Sequence, residues 1–206
     1  MDIIELFSKG GAVMYLLLLC SVAVIAIGIE RLVFYHYAGN DSKNFLENLP
    51  VKLRIQDINK VADFCHAEKS LVGEVAFSGV LAATQKENVE VALDMAYIEA
   101  AMKLRARLNY LSMIVTLSPL LGLLGTISGM IESFNIFNLQ AGQPLAITGG
   151  IGEALIATAT GLCVAILALI VHTYFAQRLD EMLAKLEKAA SIVQGALSRG
   201  ESSATP

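Results

Sequence analysis

The sequence predicts an all-α membrane protein with three transmembrane helices and long cytoplasmic helical extensions, its N-terminus outside and its C-terminus in the cytoplasm. Three observations carry that expectation. Of the 206 residues, 55% are hydrophobic and only 17% are charged, well above the apolar share of an ordinary soluble domain. Three runs are free of charge, Gly11 to Ile29, Leu108 to Ile131 and Ala154 to Val171, each about the length a helix needs to cross a ~30 Å hydrocarbon core. Finally, Lys and Arg are uneven: ten lie between Arg31 and Arg107, four from Arg178 onward, one at Lys9 and none between the second and third runs. The positive-inside rule puts the middle segment and the tail in the cytoplasm.

Taken in order, residues 1–10, "MDIIELFSKG", mix Ile3, Ile4, Leu6 and Phe7 with Asp2, Glu5 and Lys9 and suit a short helix on the outer interface. Residues 11–30 form the first span. It is read as a retained anchor rather than a signal peptide, because its flank is acidic apart from Lys9 and no A-x-A site follows. Residues 31–108 form a cytoplasmic helical domain, with helical rather than alternating apolar spacing in "INKVADFCHAEK" and "LVGEVAFSGVLAAT". Leu93, Tyr97, Ala100, Leu104, Leu108 and Leu111 keep one stripe, so this helix is expected to run straight from the cytoplasm into the second span, 109–135.

A loop over 136–144 joins it to the third span, 145–175. The chain ends in a cytoplasmic helix and a disordered tail, 176–206. In that helix Leu179, Leu183, Leu186, Ala190, Val193 and Leu197 recur at spacings of four and three. This fits either a coiled-coil seam or one amphipathic helix packed on its own domain.

Soluble chemistry is poorly supported. The net charge of -4 and the lack of basic clusters argue against nucleic acid. Cys20, Cys65 and Cys163 have no metal-ligand spacing and read as small core residues. No phosphate loop, nucleophile–base pairing or metal cluster stands out, so neither an enzyme, a cofactor nor a metal site is expected.

The second and third spans hold the candidates. Gly122, Gly125, Gly129 and Ser133 recur at spacings of three and four, a helix face on which a neighbouring backbone can come close. Thr126 lies at its edge, and Pro119 frees a carbonyl one turn earlier. On the third span one arc collects Glu153, Ala154, Ala157, Thr158, Gly161, Ala165, Ala168 and His172, with Thr160 at its border and large apolar residues opposite. That arc must face protein or a wet cavity.

A carboxylate within a span is a functional hypothesis by default, so the depth of Glu153 matters. If the helix begins at Ile151, Glu153 sits in the first turn, where the helix dipole favours an anion without any function. If it begins near Pro144, Glu153 lies about 14 Å in at 1.5 Å per residue. The residues alone leave both starts open.

Three stretches carry a resemblance. "LSPLLGLLGTISGMIESF", Leu117 to Phe134, "GGIGEALIATATGLCVAILALIVHTYF" in the third span, and "GGAVMYLLLLCSVAVIAIGIERL" near the start together resemble the MotA/TolQ/ExbB proton channel family, with the match nearest to ExbB-like members. The resemblance implies a bacterial inner-membrane homo-oligomer, a pentamer, around a dimer of single-span ExbD- or TolR-like subunits, driven by the proton motive force and passing energy to a TonB- or TolA-like protein. It implies pore-lining roles for Thr126 and Thr158 and a proton-path acid at Glu153, with Gly122, Gly125, Gly129, Gly161 and Pro119 serving helix packing. The small arcs of both spans would then face a central pore. Two departures stand out: Leu167 occupies a position where the third span of relatives often has proline, and the four-span layout of flagellar MotA is not met.

Overall fold

The computed structural model describes residues 11–39, 42–55, 57–139 and 144–202, apart from the side chains of 39, 42–43, 136–139, 144–148, 153 and 199–202. The interfacial helix expected over 1–10 lies outside the described residues. Among the described residues seven helices follow one another: α1 (Gly11–Gly39), α2 (Ser42–Ile55), α3 (Ile58–Ala67), α4 (Leu71–Gln85), α5 (Val89–Arg105), α6 (Leu108–Leu139) and α7 (Pro144–Ser202). Among the described residues there is no strand. Three stretches, in α1, α5–α6 and α7, are long and apolar enough to cross a membrane. The chain divides into two compact units, one built from the chain up to Glu30 with Arg107–Phe175, the other from Arg31–Ala106 with Ala176 onward.

In the first unit most large apolar side chains lie on the outside. Inside, Met14 and Leu17 pack on Ala157, flanked by Val13 and Leu121. Outside stand Leu19, Leu120, Leu155, Ile166 and Ile170, each exposed. Helices solvated by hydrocarbon need no apolar interior, so large residues can face lipid while small ones let backbones approach.

The second unit has an ordinary core instead. Leu49, Val61, Cys65, Val72, Val75, Val80, Leu104, Leu186 and Val193 are fully buried. Its helices are punctuated by local chemistry. Ser70 caps α4 by accepting from the Gly73 N–H at 3.3 Å, and Asn88 caps α5 by accepting from the Val91 N–H at 3.2 Å, each satisfying a first-turn donor. Between them Lys86 ends α4 in the left-handed region, its N–H reaching the Ala82 and Ala83 carbonyls. Gly79 leaves room for Leu93 of α5, whose Cδ2 would lie 2.5 Å from an added Cβ.

Two expectations about continuity change. The helix expected to run straight into the second span is broken: α5 ends at Arg105 and α6 starts at Leu108, with Arg107 at φ +65°. Side chains of α1 take over the carbonyls at the break. Tyr35 Oη donates to the Leu104 carbonyl at 2.9 Å and Arg31 Nη1 to the Lys103 carbonyl at 3.2 Å, while Arg107 pairs with Glu30 at 2.9 Å. Helix-end carbonyls satisfied from another element no longer need the next turn of helix. Likewise, α6 continues to Leu139 and α7 begins at Pro144, so both ends of the expected 136–144 loop are helical, and 140–143 lie outside the described residues.

At the far end α7 runs on to Ser202, into the segment expected to be a disordered tail. Its buried line is Met182, Leu186, Ala189 and Val193, rotated from the expected Leu179–Leu197 seam so that Leu179, Leu183, Ala190 and Leu197 sit half-buried at its flank. This stretch packs on its own unit, as the amphipathic alternative required.

Burial pushes the Cys65 thiol up to about 11. The unfolded chain releases that proton near pH 8.5 whereas the folded chain keeps it, so stability should fall as pH rises from that point towards 11. Denaturant titrations at a series of alkaline pH values should show wild type losing up to ~1.4 kcal/mol per pH unit more than Cys65→Ala.

Candidate functional site

The site is built on the packing of α6 against α7 within the first unit. The two helices run antiparallel, small residue against small residue. A Cβ added to Gly161 would lie 2.6 Å from the Ser118 carbonyl oxygen and 3.0 Å from Gly122 Cα, and one added to Gly122 would lie 3.0 Å from Thr158 Cα. Further along, Gly125 faces Ala157 at 2.7 Å and Gly129 faces Ala154 at 3.0 Å by the same measure. Beyond them a Cβ on Gly150 would collide with Ser133 Oγ. Glycine is required at 122 and 161 because the neighbour is backbone, which cannot rotate away.

Among the described residues, one side-chain hydrogen bond crosses this seam. Thr158 Oγ1 donates to the Gly122 carbonyl at 2.9 Å. Gly122 therefore accepts from the facing helix, an approach that only its missing side chain permits. Thr126, by contrast, turns its hydroxyl onto its own helix, to the Leu123 carbonyl at 2.6 Å, and Thr160 does the same to Ile156 at 2.9 Å. Pro119 lies inside α6, which stays helical through it.

The arc of small residues on α7 is thus consumed inside the chain. Ala154, Ala157, Ala165 and Ala168 are buried, and the small-residue faces of α6 and α7 cover each other within one chain. What remains at the margins is Thr126, half-buried, beside the seam. Glu153 is the tenth residue of α7, because the helix starts at Pro144 and not at Ile151; that is about 14 Å from the helix start at 1.5 Å per residue. Its side chain lies outside the described residues. The first-turn alternative for Glu153 is removed, and α7 has no acidic residue in its first turn.

Sequence reasoning missed two parts of this arrangement. Ser118 belongs to the α6 face, four residues before Gly122, and the signal was there in the continued small-residue register Ser118, Gly122, Gly125, Gly129, Ser133. The acceptor of Thr158 had no sequence signal, since a backbone carbonyl carries none. Among the described residues no group of His, Cys, Asp or Glu is placed to hold a metal ion.

Comparison with known proteins decides the family. The profile of the MotA/TolQ/ExbB proton channel family matches residues 67–188, more than half of the chain and including the whole α6–α7 seam. The chain belongs to this family. Among relatives of this MotA/TolQ/ExbB protein, a putative biopolymer transport protein ExbB-like 1 of Synechocystis is 32% identical over 175 residues, covering 82% of this chain and 68% of the relative. The Tol-Pal system protein TolQ of Pseudomonas aeruginosa is 35% identical over 114 residues, 55% of this chain and 49% of TolQ. The biopolymer transport protein ExbB of Salmonella typhimurium is 39% identical over 86 residues, 41% of this chain and 35% of ExbB. The chain thus spans only a third to a half of those two bacterial relatives.

The seam predicts a sharp contrast between glycines of one helix. Gly161→Ala forces backbones apart and should destabilise by about 1–3 kcal/mol. Gly152→Ala meets nothing within 4 Å and should be neutral or stabilising by up to ~1 kcal/mol through helix propensity. Thermal unfolding of both variants in the same detergent checks the pair.

Proposed function

We propose that this family member is a proton-motive-force-driven energy-transducing subunit of the ExbB kind, working in a bacterial inner membrane. In this reading it forms a homo-oligomer, a pentamer, around an ExbD-like single-span partner, and it powers a TonB-like protein that drives transport across the outer membrane. The N-terminus faces outward and the Lys- and Arg-rich middle segment and tail face the cytoplasm, in accord with the positive-inside rule. The family's description as proton channels supports conduction, and the biopolymer transport names of the ExbB relatives support the transport branch.

The observation that carries the reading furthest is the start of α7 at Pro144, which leaves Glu153 well along a helix with no other acid near its beginning. A carboxylate there is costly unless it serves a proton or ion path. Thr158 and Thr126 supply hydroxyls on α7 and α6, and the glycines with Pro119 keep those helices close. One proton crossing 100 mV releases ~2.3 kcal/mol, enough for a few protons to move a partner helix against packed neighbours.

A second reading, a TolQ-like envelope-maintenance motor, is favoured by the TolQ relative. It uses the same path with a TolR- and TolA-like pair.

The test is proton uptake into liposomes holding the protein with its single-span partner under an imposed potential, compared at equal assembly. Glu153→Gln should lower flux roughly a hundredfold, the size of a lost proton-transfer group. Thr158→Ala should lower it too, while costing only ~0.6 kcal/mol of packing, and Thr158→Ser should restore it. Unchanged flux in both Glu153→Gln and Thr158→Ala would make this a non-conducting scaffold.

A further inference from the structure

The seam holds a group that neither its packing nor the proposed proton path uses. Ser118 is fully buried, and its Oγ is the one buried side-chain polar atom without a hydrogen-bond partner among the described residues. The neighbouring hydroxyls show how easily this could have been avoided. Thr116 donates to the Met113 carbonyl at 2.9 Å, Ser133 to Gly129 at 2.7 Å and Thr126 to Leu123 at 2.6 Å, all on the same helix.

Next to Ser118 a backbone carbonyl loses its usual helical donor. Pro119 has no N–H to give to the carbonyl of Val115 one turn back, and Val115 stands three residues before Ser118, on the same side of the helix. Freed carbonyls of this sort in membrane helices are re-satisfied by hydroxyls or by ordered water. Here the nearest hydroxyl does not close onto its helix. Gly161 of α7 adds no side chain at this level of the seam, where a Cβ would lie 2.6 Å from the Ser118 carbonyl oxygen.

We propose that Ser118 Oγ and the Val115 carbonyl seat one ordered water at the α6–α7 seam, one helical turn from the Thr158–Gly122 hydrogen bond. A hydroxyl that both donates and accepts, beside a carbonyl that accepts, gives a water the two or more polar partners it needs to reside in a buried site. The water ties the two groups together. It also fixes the local geometry of α6 where proline has removed a rung of the helix.

Two measurements test this, and neither depends on proton flux. In proteoliposomes of 13C-serine-labelled protein, with the resonance assigned by its loss in Ser118→Ala, magnetisation from water should reach the Ser118 Cβ as fast as it reaches surface serines. Transfer as slow as to the buried Ala157 methyl would overturn the proposal. Thermal unfolding gives the second reading. Removing a dry, unpaired hydroxyl relieves an orphan, so Ser118→Ala would then raise Tm by about 2–4 °C; a hydrated Ser118 requires Tm unchanged or lowered. Either contrary result sinks the water seat while leaving the proposed roles of Glu153 and Thr158 standing.

Discussion

Everything in the first unit depends on how closely α6 and α7 approach. Helices in hydrocarbon gain nothing by hiding apolar surface from each other, so they associate only where dispersion contacts exceed those made with lipid. Gly122 and Gly161 allow that, by letting backbone touch backbone. Once the backbones meet, a threonine can reach across to a carbonyl that ordinarily belongs to its own helix. The polar tie follows from the packing and not the other way round.

The same constraint explains where the polar residues of the spans end up. A seam filled by glycine and alanine leaves no room for a pore between α6 and α7 of one chain. Thr126 and Thr160 flank the seam with hydroxyls folded back on their own helices. Such back-bonding satisfies a hydroxyl while the chain is alone and can be exchanged for a partner's group without leaving a donor unpaired.

Much of this was legible in the residues. Charge-free runs and the small-residue registers of spans two and three pointed to long apolar helices with one close-packing face, because lipid and backbone sterics act on residue type and period alone. The break at Arg107 was not legible. The apolar stripe through Leu93, Leu104 and Leu111 is unbroken in sequence, and the partners that allow the interruption, Arg31 and Tyr35, lie some seventy residues away in the chain. The α7 start was undecidable for a related reason: both Pro144 and the Gly149–Gly150 pair are admissible helix beginnings, and only the fold chooses between them. Ser118 continues the small-residue register one turn back from Gly122, but that its hydroxyl is buried without a partner can be seen only in the fold.

The Thr158–Gly122 bond has a consequence for the order of assembly. While α7 stands alone in the bilayer, the Thr158 hydroxyl can close onto a carbonyl of its own preceding turn, as Thr160 does. Docking then trades one hydrogen bond for another and adds little net attraction. What the exchange fixes is alignment: a one-turn slip of α7 along α6 in one direction would set Thr158 against Ser118 in place of Gly122. The bond acts as a detent that selects one register among several equally greasy ones, so that each copy of the chain presents the same face to whatever it meets.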